Sequence, residues 1–231
     1  MKILKLECQR LKIDIVRISF IILLLHLINT IIFIKNLDVL MGESKDAFTL
    51  LFSSSHETLM NWMYWLSFCV GYIICLQILW KNDVHMFEIN IVLRLGQWKS
   101  LWFAKFIIGI LFTLYYVFSA VCVAIVLFKC FHIKLQFDLS WFFIFVCLTV
   151  SLFIHGILWL ILKNHLKVEV ANIVILGMLF AGIKLEEPYI PLYYGMYTNL
   201  GGNLIAVLLE LIMIWLLMIY VIVHAKKIDY V

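Results

Sequence analysis

Residues 103–128 read FAKFIIGILFTLYYVFSAVCVAIVLF, and this stretch decides which solvent the chain folds in. A helix rises about 1.5 Å per residue, so a run of this length crosses a hydrocarbon core of about 30 Å. Similar apolar runs recur at 18–34, 61–80, 140–162, 168–183 and 204–224, which makes six expected spans. Hydrophobic residues make up 65% of the 231 residues, charged residues 14%, and the mean hydropathy is +1.08. Soluble domains hold roughly 45–50% apolar and about 25% charged residues, so the composition excludes that class. The runs are continuous and not alternating, which disfavours a transmembrane barrel, where every second side chain is polar. The fold class expected is an all-α integral membrane protein.

The first and fifth spans carry polar residues, His26 and Asn29 in one and Glu169 and Asn172 in the other, and either is open to being tilted, broken or partly re-entrant. Cytoplasmic loops hold the excess of Lys and Arg. With the N-terminus inside, thirteen of the eighteen basic residues fall on the inner side: five before the first span, then Lys81, Arg94, Lys99, Lys105, Lys163, Lys167, Lys226 and Lys227. Both termini are therefore expected in the cytoplasm. The net charge of +4 reads as attraction to anionic lipid and not as a nucleic-acid interface. No cleavable signal peptide is expected, because the first apolar run follows a long charged segment without a small-residue exit site. Six cysteines lie scattered with no CxxC pair and read as small apolar packing residues.

In residues 1–17, MKILKLECQRLKIDIVR, the positions Leu4, Cys8, Leu11 and Ile15, continued by Ile18, follow helical steps. The pattern predicts a basic amphipathic helix lying in the membrane interface, with a cytoplasmic extension of the first span as the alternative. There is no soluble domain, since the longest stretch between spans is residues 35–60, and the whole of 1–231 reads as one transmembrane domain. The outer segment 184–203 holds Pro188, Tyr189, Pro191, Tyr193, Tyr194 and the Gly201-Gly202 pair. Pro fixes the backbone, Gly permits turns and Tyr favours a boundary that is half wet, so this segment is either a broken dip into the outer interface or an aromatic-belt loop.

Chemical motifs are mostly absent. No Gly-Lys dipeptide occurs, so a GxxxxGK[ST] phosphate loop is excluded, and there is no HExxH. Glu186-Glu187 is similar to the start of the EExxxR motif of intramembrane prenyl-type proteases, but Pro191 stands where Arg belongs. Ionisable residues inside spans are functional candidates because a charge at mid-bilayer costs about 2.5–3.5 kcal/mol on insertion scales. Glu210 is the first candidate for a pathway residue, followed by His155 and His26. No cofactor is expected in this chain.

Residues 81–102, KNDVHMFEINIVLRLGQWKSLW, place Val84, Phe87, Ile91 and Leu95 at steps of three, four and four, which predicts a short amphipathic helix on the cytoplasmic side. Arg94, Gly96 and Lys99 follow as a basic turn, and Trp98 and Trp102 suit the headgroup level. The string from Arg94 to Lys105, RLGQWKSLWFAK, resembles the R-x-G-S-R-x-x-W-W-x-x-K pattern in the second inner loop of small permease subunits of type-2 ABC exporters, above all those of bacteriocin and lantibiotic self-immunity systems. Arg94, Gly96, Trp102 and Lys105 match that pattern, Gln97 stands where Ser is commoner, and Lys99 lies beside the second basic position.

The resemblance implies a coupling helix, with Phe87, Glu88, Ile91, Arg94, Gly96 and Lys99 seated in a groove of a separate cytosolic ATPase. It further implies ATP bound by that partner, a second permease subunit, identical or related, a bacterial cell membrane, and a bacteriocin-like peptide as cargo. Two other classes stay open: a gradient-driven transporter or channel-like subunit using Glu210, and an intramembrane enzyme.

Overall fold

Between Lys2 and Lys35 the sequence contains neither Pro nor Gly, and the backbone forms one helix, α1 (Lys2–Lys35). The computed structural model describes residues 2–36, 46–52, 61–80, 98–135, 137–184, 195–200 and 204–224. The segment 1–17 expected to lie in the interface is continuous with the first span from Lys2 onward, with no break in the helix between them. Of the face expected to be apolar, Leu11 and Ile18 are buried, whereas Ile15 is exposed.

The remaining elements are a short α2 (Ala47–Phe52), α3 (Asn61–Leu79), α4 (Trp98–Cys130), α5 (Ser140–His165), α6 (Val168–Lys184), a single 3-10 turn (Tyr197–Leu200) and α7 (Leu204–His224). The described residues are helical and contain no strand. Five helices, α1, α3, α4, α5 and α7, are long and apolar enough to cross a membrane, in keeping with a multi-pass membrane protein. The helix α6 has 17 residues, about 26 Å at 1.5 Å each, and falls short of that length. At 33 residues α4 is about 50 Å long, so it tilts or extends past the hydrocarbon.

Two connections fix antiparallel neighbours. At the end of α4, His132 adopts the left-handed conformation (φ 57°). Its N–H donates to the Lys129 carbonyl (3.1 Å) and the Ile133 N–H to that of Phe128 (2.9 Å), a Schellman ending that satisfies carbonyls the helix leaves open. The Asp138 carboxylate then accepts from the Leu139 N–H (2.7 Å) just before α5 starts. Between α5 and α6 only Leu166 and Lys167 intervene.

The helix α1 packs on α3 and α4; α4 packs on α5; α5 also touches α3 and α6; and α7 lies over the seam between α4 and α5. The centre is α5, with 72% of its apolar stretch buried against 22% for α1 and for α7. In lipid the tails are as apolar as the helix surface, so helices associate through close approach and interhelical hydrogen bonds. Both devices are present. A Cβ on Gly156 of α5 would lie 2.6 Å from the Tyr72 hydroxyl of α3, so only glycine admits that ring. The Tyr72 hydroxyl is itself 2.7 Å from the Thr113 hydroxyl of α4, and the Tyr116 hydroxyl of α4 donates to the Phe68 carbonyl of α3 (2.6 Å).

Candidate functional site

The C-terminal end of α3, the N-terminal turns of α4, the C-terminal turns of α5 and the start of α6 meet at one end of the bundle, where Trp and Lys alternate along the chain. Lys163 of α5 donates to the Trp80 carbonyl at the end of α3. The Trp80 ring stacks on Trp159, with centroids 6.4 Å apart and planes 16° apart. Trp159 in turn donates through Nε1–H to the Asn172 Oδ1 of α6 (2.8 Å), and the Lys163 ammonium sits 5.5 Å from its ring centroid. Beside this clamp Trp102 is fully buried, and Lys105, only 5% exposed, lies 4.9 Å from its ring centroid. A cation over an indole face is favourable, more so where water is scarce. Lys99, one turn earlier on α4, is exposed.

The expected coupling residues Phe87, Glu88, Ile91, Arg94 and Gly96 lie outside the described residues, as do Pro188, Tyr189, Pro191, Tyr193 and Tyr194 of the outer segment. Both attachment points of residues 81–97 are nonetheless described: Trp80 on one side and the first turn of α4 on the other.

The three intramembrane candidates stand apart. Glu210 on α7 is 4% exposed, and neither carboxyl oxygen has a hydrogen-bond partner among the described residues. His155 on α5 is fully buried, its Nδ1 2.8 Å from the Ser151 carbonyl and its Nε2 without a partner among the described residues. His26 on α1 packs edge-on to Tyr116 at 4.6 Å and near Phe68 at 5.8 Å. No hydrogen bond or ion pair joins these three among the described residues, so they form no proton relay there. The five described cysteines are free, and no cluster of metal-ligating side chains occurs among the described residues.

Between α4, α5 and α7 runs a groove of about 240 Å³, its walls formed by Phe103 and Ile110, Thr149 and Phe153, and Leu211 and Trp215 among others. Apart from the Trp215 indole, Thr149 brings the one polar group to its lining, and its hydroxyl is spent on the Phe145 carbonyl (2.8 Å).

The opposite end is closed by α2. The Trp141 Nε1–H donates to the Asp46 carboxylate (3.2 Å), and Phe48 stacks on the same indole at 3.8 Å. Sequence reading singled out Trp98 and Trp102 but not Trp80 or Trp159, and it counted Lys163 only as an inner-side charge and Asn172 only as a polar residue of the fifth span. The available signal was the spacing of Trp159 and Lys163, one helical turn apart, and the Trp80-Lys81 pair at a span end. Comparison of the chain with known protein families, with curated proteins and with solved structures finds no match to any of them.

Proposed function

We propose that this chain is the permease subunit of an ABC exporter, with α6 as its sixth span and both termini in the cytoplasm of a bacterial cell. It pairs with a second permease and with two cytosolic ATPase subunits, which supply the ATP hydrolysis this chain has no phosphate loop to perform. The cargo is an amphipathic or hydrophobic peptide of the bacteriocin kind. Residues 81–97 form the coupling helix, and Phe87, Glu88, Ile91, Arg94, Gly96 and Lys99 face the ATPase.

Support comes from the clamp at the Trp80 end. A coupling segment transmits motion only if its attachments are rigid, and the attachment at Trp80 is tied to α5 through Lys163 and through Trp159 to α6. The attachment at α4 is anchored by the buried Trp102 and Lys105. A push on 81–97 therefore reaches α3, α4, α5 and α6 together.

The test is co-purification of the tagged chain with stoichiometric soluble partners, followed by their identification. A partner bearing a phosphate loop is expected. Arg94→Glu sets a carboxylate where a guanidinium fork engaged its acceptors, and so weakens assembly while leaving membrane insertion intact. Lys5→Glu, which changes charge at the membrane surface alone, retains the partner. Equal small losses for the two leave the basic stretch as a topology signal worth about 1 kcal/mol per residue near an anionic surface, and end the docking proposal.

A second reading is favoured by the buried, unpartnered carboxyl of Glu210. A gradient-driven carrier needs a residue of that kind, and Glu210→Gln then abolishes uphill transport in a preparation without an ATPase partner. The ATP-driven reading expects transport to survive that substitution.

A further inference from the structure

The groove between α4, α5 and α7 has chemically unlike ends. On α4 its wall is the stripe Phe103, Ile107 and Ile110, and the residue one turn before Phe103 on the same stripe is the exposed Lys99. On α7 its wall runs through Leu211, Ile214, Trp215 and Met218, and the residue one turn before Ile214 is Glu210. Glu210 is buried and does not line the groove, so no ligand in the groove reaches its carboxyl.

We infer that this groove holds an acyl chain of an anionic phospholipid of the bilayer, with the phosphate at Lys99. Three observations carry the assignment. The first is polarity: the Thr149 hydroxyl is already bonded to its own helix, which leaves the Trp215 indole N–H as the one other polar group of a lining that otherwise suits hydrocarbon. The second is size: an apolar cavity of about 150 Å³ takes up benzene, and this one measures about 240 Å³. It therefore has room for a length of alkyl chain. The third is charge: the exposed Lys99, one helical turn before Phe103, sets an ammonium at the surface end of the groove. An anionic headgroup is thereby favoured at that end, and no charged side chain lines the groove to hold a lipophilic cation. Phe103 and Trp215, both more than half exposed, stand on opposite walls and border the opening toward the membrane.

The site competes with the proposed ATPase contact for Lys99, but its test uses the purified chain alone and so does not depend on that reading. The purified full chain is placed in phosphatidylcholine nanodiscs doped with either phosphatidylglycerol or phosphatidylcholine brominated on its acyl chains. Quenching of Trp215 is taken as the difference between the parent chain and Trp215→Phe. At equal low mole fraction, phosphatidylglycerol is expected to quench Trp215 about fivefold more effectively, the factor that corresponds to about 1 kcal/mol for one basic residue near an anionic headgroup. Lys99→Gln, a surface change, removes the preference, and Ile107→Phe with Leu211→Phe lowers quenching by both lipids. Equal quenching by the two lipids means ordinary bulk-lipid contact and overturns the site. A preference that survives Lys99→Gln overturns the headgroup placement, and absence of quenching by either lipid means that another chain covers the groove and overturns the assignment.

Discussion

Replacing Glu210 by Leu should make this protein more stable. Glu210 lies six residues past Leu204, about 9 Å along the helix axis at 1.5 Å per residue, within a span of about 30 Å. It is 4% exposed, both carboxyl oxygens lack hydrogen-bond partners among the described residues, and Cys147 of α5 is near enough to interact with it electrostatically. A buried polar group left unsatisfied costs about 1–3 kcal/mol. Leu keeps nearly the same reach and volume while removing both oxygens. The expected gain is therefore about 1–3 kcal/mol, against less for Gln, whose amide is as short of partners as the carboxyl. For a chain of this size that corresponds to roughly 2–12 °C in Tm. The assay is unfolding in mixed micelles, by SDS titration or heating, followed by tryptophan fluorescence. A loss of stability in Glu210→Leu that Glu210→Gln does not share would refute the reasoning, because it would mean that the group holds the fold through hydrogen bonds.

Gly156→Ala and Gly177→Ala form a matched pair: the first brings a Cβ to 2.6 Å from the Tyr72 hydroxyl, whereas the second meets nothing within 4 Å. Gly177→Ala should gain up to about 1 kcal/mol of helix propensity, and overpacking of about 1–3 kcal/mol should leave Gly156→Ala below it in the same titration. Tyr72→Phe loses the contact with Thr113, about 0.5–1.5 kcal/mol, but also removes the oxygen that a methyl group at position 156 would strike. The double variant is therefore expected to be more stable than the two single losses predict, and strict additivity would refute the close approach. In intact cells lacking native cysteines, Lys45→Cys should label with an impermeant maleimide and Lys99→Cys should not; labelling of position 99 reverses the orientation.

The helices were legible because hydropathy alone locates them: expected runs at 61–80 and 140–162 compare with α3 at Asn61–Leu79 and α5 at Ser140–His165. The continuity of α1 was not, since a helical period describes a bent helix and a straight one equally well. Nor were partners legible. The Tyr116 hydroxyl meets a carbonyl 48 residues away, and a single sequence carries no record of such pairs. The groove is invisible for the same reason, being made of three helices.

One further signal in α4 does identify its inward face, although hydropathy averages it away. Gly109, Thr113, Tyr116, Ala120 and Ala124, at steps of four, three, four and four, are all buried, while the larger apolar Leu111, Phe118 and Val126 are exposed. In water the most apolar stripe turns inward. In lipid that stripe gains nothing by doing so, and the small and hydroxyl-bearing residues turn inward because they alone admit a neighbouring backbone or bond to it. Read with that inverted rule, the stretch 103–128 marks the line of closest approach to neighbouring helices, with the larger Phe112, Val117 and Phe128 buried beside it.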